Sequence, residues 1–145
     1  MIKFLSKHKF FAIAMAGLCS FLIVIAILDI RVGCRRYIRS LESLSQDLSK
    51  FISEHQGRFP QGDDEFRPYA SNETLLKSFS IRYGIGADEL KLTQGTLYDL
   101  NDKPVLLIEG EAKNIWLSPW VSNEEKQCSI LLYEQMIRNL ETGHR

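Results

Sequence analysis

The chain has 145 residues, which is enough for one small domain with an anchor and excludes two full-sized folded domains. Residues 1–60 hold nine basic and four acidic residues (+5), whereas residues 61–145 hold nine and fourteen (−5), so the net charge is zero. Because nucleic-acid binding needs a concentrated basic face, this acidic distal half argues against DNA or RNA as a partner.

The first predicted element is a transmembrane helix over residues 10–28, preceded by a basic tail over residues 1–9. The stretch reads FFAIAMAGLCSFLIVIAIL and contains no charge. At about 1.5 Å per residue it spans roughly 28 Å, close to the hydrocarbon thickness of a bilayer. The alternative is a cleaved signal peptide, whose apolar region is usually about 7–15 residues long and ends in small residues. Asp29-Ile30-Arg31 follows here, so we expect a retained single-pass anchor.

The charges that flank the apolar run do not decide which side of the membrane receives the rest of the chain. The basic residues are Lys3, Lys7 and Lys9 before the run, and Arg31, Arg35, Arg36 and Arg39 after it. The positive-inside rule compares such counts, and these are nearly equal. A tail of nine residues is too short for a domain, so every functional surface outside the bilayer is expected on the side of Arg31.

The helix is predicted to continue beyond the membrane as an amphipathic segment over residues 29–55. Apolar residues recur there at spacings of three and four, the pattern of a helix with one buried face. This helix stripe consists of Ile30, Cys34, Tyr37, Leu41, Leu44, Leu48 and Phe51. No proline interrupts residues 10–53, which fit one helix of about 65 Å. We expect the stripe to be an interaction surface that packs against the chain's own distal domain, with a short coiled coil as the alternative.

A small distal domain is predicted over residues 56–145. The helix should end at residues 56–60, because Gly57 supplies a left-handed cap and Pro60 cannot continue the turn. A polar loop follows. Ser71 is predicted to cap a short helix from about Asn72 to Phe79.

The middle of the domain is predicted to form a β-hairpin. Residues 96–100 and 103–109 are strand-like, and the pair Asn101-Asp102 between them is typical of a turn. Pro104 indicates an edge position or the start of a strand, since proline cannot donate to a ladder. Residues 115–117 are a candidate third strand.

The last predicted element is an amphipathic helix of about sixteen residues that starts at a capping box of Ser122 and Glu125. Its apolar series is Ile130, Leu131, Tyr133, Met136, Ile137 and Leu140. Trp116 and Trp120 lie just before it, where paired aromatic residues either pack in the core or contact a partner. The expected fold class is therefore α+β: a long N-terminal helix, transmembrane and then amphipathic, packed on a small antiparallel sheet, with a C-terminal helix.

The sequence contains no pattern that indicates catalysis, a metal site or a bound cofactor. The relevant residues are His8, His55 and His144, and Cys19, Cys34 and Cys128. The histidines are widely scattered, so no nucleophile has a base nearby, and the cysteines lack zinc-ligand spacing. We expect a protein that is not an enzyme. Pairing of Cys34 with Cys128 in a disulfide stays open, because sequence does not fix connectivity.

Residues 3–60 combine a short basic leader, KFLSKHK, an apolar segment that opens with Phe10-Phe11, an amphipathic extension and the turn Gly57-Arg58-Phe59-Pro60. In this order of parts the chain resembles type IV pilins and the pseudopilins of type II secretion. The resemblance implies export of the domain to the periplasm or cell exterior, and lateral packing of first helices into a filament or pseudopilus. Two features of the family are absent: Lys9 stands where a small residue precedes the cleavage site, and residues 10–28 contain no glutamate.

Two hypotheses about function follow from these patterns together with the resemblance. The first is a non-catalytic, membrane-anchored structural or interaction subunit, pilin-like, that binds protein partners or copies of itself through the N-terminal helix, as part of a secretion or filament assembly. The alternative is a monomeric, membrane-tethered module that binds a ligand or a protein through Tyr98, Trp116 and Trp120.

Overall fold

The computed structural model describes residues 2–110 and 118–143, with side chains described over residues 15–110 and 121–142. The chain divides into two compact units, Met1–Arg36 and Tyr37–Arg145. Helix α1, Ile2–Glu54, supplies the first unit and the beginning of the second. Its end at Glu54 agrees with the predicted helix end near Ser53.

The backbone after α1 adopts the left-handed conformation at two residues, which ends the helix where Gly57 and Pro60 predicted. Gln56 and Gly57 have φ angles of 56° and 85°. The Gly57 N–H donates to the carbonyl of Ile52 at 2.9 Å, which satisfies one of the carbonyls left open at the helix end. A β-carbon on Gly57 would lie 2.6 Å from the Met136 carbonyl oxygen, so this position also sets how closely the turn approaches the C-terminal helix.

Two short helices follow, and the cap of the second differs from the prediction. Helix α2 is Asp63–Phe66, a 3₁₀ turn covers Arg67–Tyr69, and α3 is Glu73–Ser78. Asn72 caps α3, because its side chain accepts from the Thr74 N–H at 2.9 Å. The predicted cap, Ser71, instead donates its N–H and hydroxyl to the Asp47 carboxylate, both at 2.8 Å. A contact with α1 therefore overrides the local capping preference.

The sequence prediction assigned the wrong partner strand to residues 96–100. The strands are β1 (Phe79–Ile81), β2 (Leu90–Thr93), β3 (Thr96–Asp99) and β4 (Ile108–Gly110). They form two antiparallel pairs, β1 with β4 and β2 with β3. Strand β3 pairs with the strand before it, through a turn at Gln94 and Gly95 whose φ angles of 49° and 68° suit a two-residue hairpin.

The segment predicted as one strand over residues 103–109 pairs first with β3 and then with β1. The turn at Asn101-Asp102 forms as predicted, and after it the Val105 N–H donates to the Leu97 carbonyl at 2.9 Å. This pairing with β3 is limited to a bridge at Pro104, which has no N–H to extend the ladder. The chain then reaches β1, where Ile108 lies opposite Ile81. The third strand proposed over residues 115–117 lies outside the described residues.

The Asp99 carboxylate stabilises the turn between β3 and this segment. It accepts the backbone N–H groups of Lys103 and Asn101, each at 2.9 Å. The hydrogen bond from Lys103, followed by that from Asn101, holds the pKa of Asp99 below its ordinary value. Because the folded-state pKa is lowered, this stabilisation is complete above the unfolded pKa, about 3.9, and is lost as the pH falls through the folded-state pKa.

Replacing Asp99 with alanine should therefore lower the melting temperature at neutral pH, and the gap to the wild type should shrink below about pH 4. Thermal unfolding of the detergent-solubilised chain, followed by circular dichroism at several pH values, measures this gap. The exposed Asp88, replaced in the same way, is the control. A gap for Asp99→Ala that stays constant through the acid range would contradict the assignment.

The C-terminal helix, α4, runs from Ser118 to Gly143 and begins four residues before the predicted capping box. Pro119 fits its first turn, where the missing N–H leaves no helical hydrogen bond unmade. Ser122 and Glu125 therefore lie inside the helix and form no box. Trp120 belongs to the helix and not to a preceding loop.

The buried face of α4 also differs from the predicted series. It consists of Glu125, Cys128, Ser129, Leu132 and Met136. Leu131 and Leu140 are 57% and 39% exposed, so two members of the predicted series lie outside the core, while Leu132 was missed.

The core of the distal unit is formed by α1, the short helices, the strands and α4 together. Phe51 of α1 is fully buried in this core, with ring centroids 6.3 Å from Phe66 and 5.0 Å from Tyr69, both edge to face. Leu97 of β3 and Ile108 of β4 belong to the same cluster, as do Cys128, Leu132 and Met136 of α4. The fold is α+β, with small antiparallel sheets between long helices in sequence, which confirms the predicted class.

Candidate membrane anchor and interaction surfaces

The apolar part of α1 carries its side chains on the outside. An 18-residue window of this helix has a mean hydropathy of 2.2, and none of it is buried within the structure. The large apolar side chains exposed by 41–62% are Met15, Leu18, Phe21, Leu22, Ile23, Val24, Ile25, Ile27, Leu28, Ile30 and Val32. The core helix of a water-soluble domain would be mostly buried, and exposed apolar patches of this extent mark membrane or protein contact.

Among the residues that the structure describes, this is the one helix long and apolar enough to cross a bilayer. The helix fits a single-pass membrane anchor, as the sequence predicted. A secretory signal sequence meets the same criteria of length and hydropathy, so sequencing the mature N-terminus separates the two.

The predicted helix stripe divides into an exposed and a buried part. Ile30 is 41% exposed, and Cys34 and Tyr37 are half-buried. The remaining members, Leu41, Leu44, Leu48 and Phe51, have no exposed surface. These four are core residues of the distal unit, so in the folded chain they have no surface to offer a partner.

Tyr37 belongs to a buried polar cluster that was not anticipated from the sequence. Its hydroxyl donates to Oε1 of Glu125, and the Gly110 N–H donates to the same oxygen at 2.7 Å. Glu125 is only 4% exposed. Burial, and then the hydrogen bond to this carboxylate, raise the pKa of Tyr37 far above its usual range, so the phenol stays protonated and donates.

Helix α4 supplies a second hydrogen-bond acceptor to the backbone between β3 and the end of β4. The buried Ser129 hydroxyl accepts the Leu107 N–H at 2.9 Å, one helical turn after Glu125. A β-carbon on Gly110 would lie 2.6 Å from Cε2 of Tyr37, so only glycine lets the strand approach the phenol this closely. The sequence did contain an indication that Glu125 is buried. Glu125 lies three residues before Cys128 and seven before Leu132, so it shares a helix face with both.

A further polar contact joins α1 to α4 within the distal unit. The Gln135 amide donates to the Ser49 carbonyl at 3.0 Å and to the Ser53 hydroxyl at 2.8 Å, while the Ser49 hydroxyl donates to the amide oxygen. Beside it lies an open groove of about 490 Å³. Because all these groups are hydrogen-bonded to one another, the contact fixes the register of the two helices and presents no reactive group.

The larger groove of the distal unit, about 700 Å³, lies between β1, β3 and α4. Its polar lining includes Arg82, Lys126 and Glu109, and its apolar lining includes Val105 and Leu106. Such a mixed, open groove suits a surface contact with a polar chain better than an enclosed small-molecule site.

The aromatic residues predicted to contact a partner are not brought into a described site. Trp116 lies outside the described residues, and Trp120 lies in α4 with no side-chain position described. Tyr98 is half-buried in β3. Their contact with a partner stays a prediction.

Within residues 15–110 and 121–142, no group of three or more His, Cys, Asp or Glu side chains is placed to hold a metal ion. The cysteines Cys19, Cys34 and Cys128 are free thiols, so the disulfide that the sequence left open is not formed. Burial raises the pKa of the Cys128 thiol, which makes this cysteine a packing residue and a poor nucleophile.

No protein-family model, no curated protein and no solved structure matches this chain. The chain itself presents two surfaces: the exposed apolar segment of α1, and the face of a small α+β unit held together by buried polar contacts.

Proposed function

We propose that this chain is a non-catalytic, membrane-anchored structural or interaction subunit. The supporting observation is that an apolar segment of α1, long enough to cross a bilayer, has none of its residues buried within the structure. Residues 10–28 span the bilayer, and the same helix, without a proline or a glycine-rich linker, supplies Leu41, Leu44 and Leu48 to the core of the distal unit. The anchor and the folded unit are therefore joined without a Gly/Ser-rich linker, the composition typical of a flexible tether.

The pilin-like part of the proposal concerns self-association and sidedness. A long N-terminal apolar helix followed by small antiparallel sheets is an architecture compatible with pilin-like folds. In this proposal first helices pack laterally, and the distal unit lies in the periplasm or outside the cell. Because the distal part of the stripe is buried, the contact between copies uses the exposed residues 15–32.

Cysteine crosslinking in native membranes tests self-association. Cys19 is exposed, and single cysteines moved through residues 16–24 of a background in which Cys19, Cys34 and Cys128 are all replaced by serine sample every face of the helix. Oxidation should yield dimers with a period of about 3.6 residues along the series. A single cysteine retained at the buried position 128 is the control and should give none. If no position captures a second copy, lateral packing of this helix is wrong.

Sidedness and processing are tested together by a topology reporter fused after Arg145 and by sequencing the mature N-terminus. The proposal expects a reporter that is active outside the cytoplasm and a mature chain that keeps residues 10–28. A reporter that is active in the cytoplasm would refute the pilin-like part of the proposal and leave the membrane anchor unaffected. A mature chain that starts after residue 28 would show a cleaved signal peptide and end the anchor itself.

The second candidate function is a monomeric, tethered binding module, which the groove beside Arg82 and Lys126 favours. Its prediction differs at one clear point. The crosslinking series should give no dimers at any position. Replacing both Arg82 and Lys126 with glutamine should instead abolish the retention of a partner protein in pull-downs from native membranes.

A further inference from the structure

We infer that Arg31, Arg35 and Arg36 form a binding site for anionic phospholipid headgroups at the end of the membrane-spanning segment. This arginine belt is distinct from the apolar surface that anchors the chain. The inference rests on the proposed anchor, because it needs residues 10–28 in the bilayer, and it adds a preference among lipids.

The three guanidinium groups are free to bind a ligand. Arg31, Arg35 and Arg36 are all exposed. Among the described residues no ion pair or hydrogen bond engages them. The one acidic residue in the first unit is Asp29, so residues 29–36 keep a net charge of +2.

Their position along the helix matches the headgroup layer. At about 1.5 Å per residue, the α-carbon of Arg31 lies roughly 4–5 Å beyond Leu28, and those of Arg35 and Arg36 roughly 10–12 Å beyond it. The polar layer on each side of a bilayer is about 5–7 Å thick. Side chains on an α-helix tilt toward its N-terminus, which here is the direction of the membrane. Long arginine side chains therefore extend back from just outside the layer into it.

The chemistry and spacing suit phosphate. Arg31 and Arg35 are four residues apart and so are neighbours on one face, with β-carbons about 5–6 Å apart. A guanidinium group donates two parallel N–H groups to phosphate oxygens, which an ammonium group does not. Arg36 lies about 100° around the helix from Arg35, so the belt covers more than one face and contacts more than one headgroup.

An acidic lipid fits these observations better than an acidic protein, because the belt continues directly from the exposed apolar segment. Any occupant of the belt must lie at the membrane surface, where lipid phosphate is the most concentrated anion. Basic residues close to an anionic leaflet each strengthen binding by about five-fold, so three should produce a measurable lipid preference.

The test uses the full chain reconstituted in vesicles of phosphatidylcholine with phosphatidylglycerol. Spin-labelled phosphatidylglycerol and spin-labelled phosphatidylcholine report, by electron paramagnetic resonance, the fraction of each lipid held at the protein boundary. The wild type should enrich the anionic probe several-fold over the zwitterionic one, and the combined variant Arg31→Gln, Arg35→Gln, Arg36→Gln should reduce the ratio to about 1.

A matched variant removes the same charge elsewhere. Lys77, Lys91 and Lys103 are exposed in the distal unit, and their replacement by glutamine should leave the enrichment unchanged. If this control loses the preference as fully as the arginine variant, net charge accounts for the effect and the belt is not a site.

Free phosphate is distinguished by competition. Sodium phosphate and sodium chloride at equal ionic strength should weaken the enrichment equally, since both only screen charge. A stronger effect of phosphate would show that the belt binds the free ion and would overturn the lipid assignment.

Flotation of the same vesicles separates this inference from the anchor. Wild type and arginine variant should both float, because the apolar segment is unchanged. Failure of the wild type to float would refute the anchor. Flotation of both with equal, unselective lipid ratios would refute the arginine belt alone.

Discussion

Replacing Gly57 with alanine is expected to lower the free energy of unfolding of the distal unit by about 3–4 kcal/mol. Two effects add. The φ angle of 85° is one that an alanine adopts only with strain. The new β-carbon would also lie 2.6 Å from the Met136 carbonyl oxygen and 2.9 Å from Cγ of Leu140, so α4 must move away from the end of α1. Denaturant titration of the full chain in detergent, followed by circular dichroism, measures the change.

Gly95→Ala is the control that separates backbone strain from the clash. Gly95 has a φ angle of 68°, but nothing lies within 4 Å of a β-carbon built there. Its replacement should therefore lower the unfolding free energy by only about 1 kcal/mol. Equal losses for the two variants would mean that the contact between the turn and α4 contributes nothing.

Replacing Glu125 with alanine is expected to lower the unfolding free energy by about 2–3 kcal/mol, because two buried donors lose their acceptor. These donors are the Tyr37 hydroxyl and the Gly110 N–H, which both bind Oε1. The change would loosen α4 from β4 at the point where Ser129 continues the same contact. The same denaturant titration reports it.

Glu141→Ala is the matched control for Glu125, since it removes an exposed glutamate from the same helix and should shift stability by less than about 0.5 kcal/mol. Combining Glu125→Ala with Tyr37→Phe tests the shared hydrogen bond. The double variant should lose less than the sum of the single losses, because each single change already breaks that bond. Fully additive losses would show that the tyrosine and the carboxylate do not stabilise each other.

These expected results place stability and function in different parts of the chain. Gly57, Tyr37 and Glu125 hold the C-terminal helix in the distal unit. The surfaces proposed for interaction are the apolar segment of α1, the arginine belt and the groove beside Arg82. Variants of the first group should change folding, whereas variants of the second should change only membrane or partner binding.

The sequence by itself determined the features that depend on neighbouring residues along the chain. The uncharged run over residues 10–28 predicts a membrane helix from composition alone. The spacing of Leu41, Leu44 and Leu48 predicts a buried helical face, and Gly57 with Pro60 predicts the helix end, since local backbone conformation decides each of these. Leu41, Leu44 and Leu48 are fully buried in the structure, as their spacing predicted.

Only the tertiary structure decided which distant groups meet. The segment from Val105 to Ile108 is strand-like in sequence, but the choice between β3 and β1 as partner depends on packing that no local pattern encodes. The depth at which Glu125 lies depends on Tyr37, 88 residues away in the chain. Burial of a carboxylate is favourable only when such donors are supplied, which explains why the sequence predicted a capping box at Ser122 and Glu125 where the fold contains a buried acceptor.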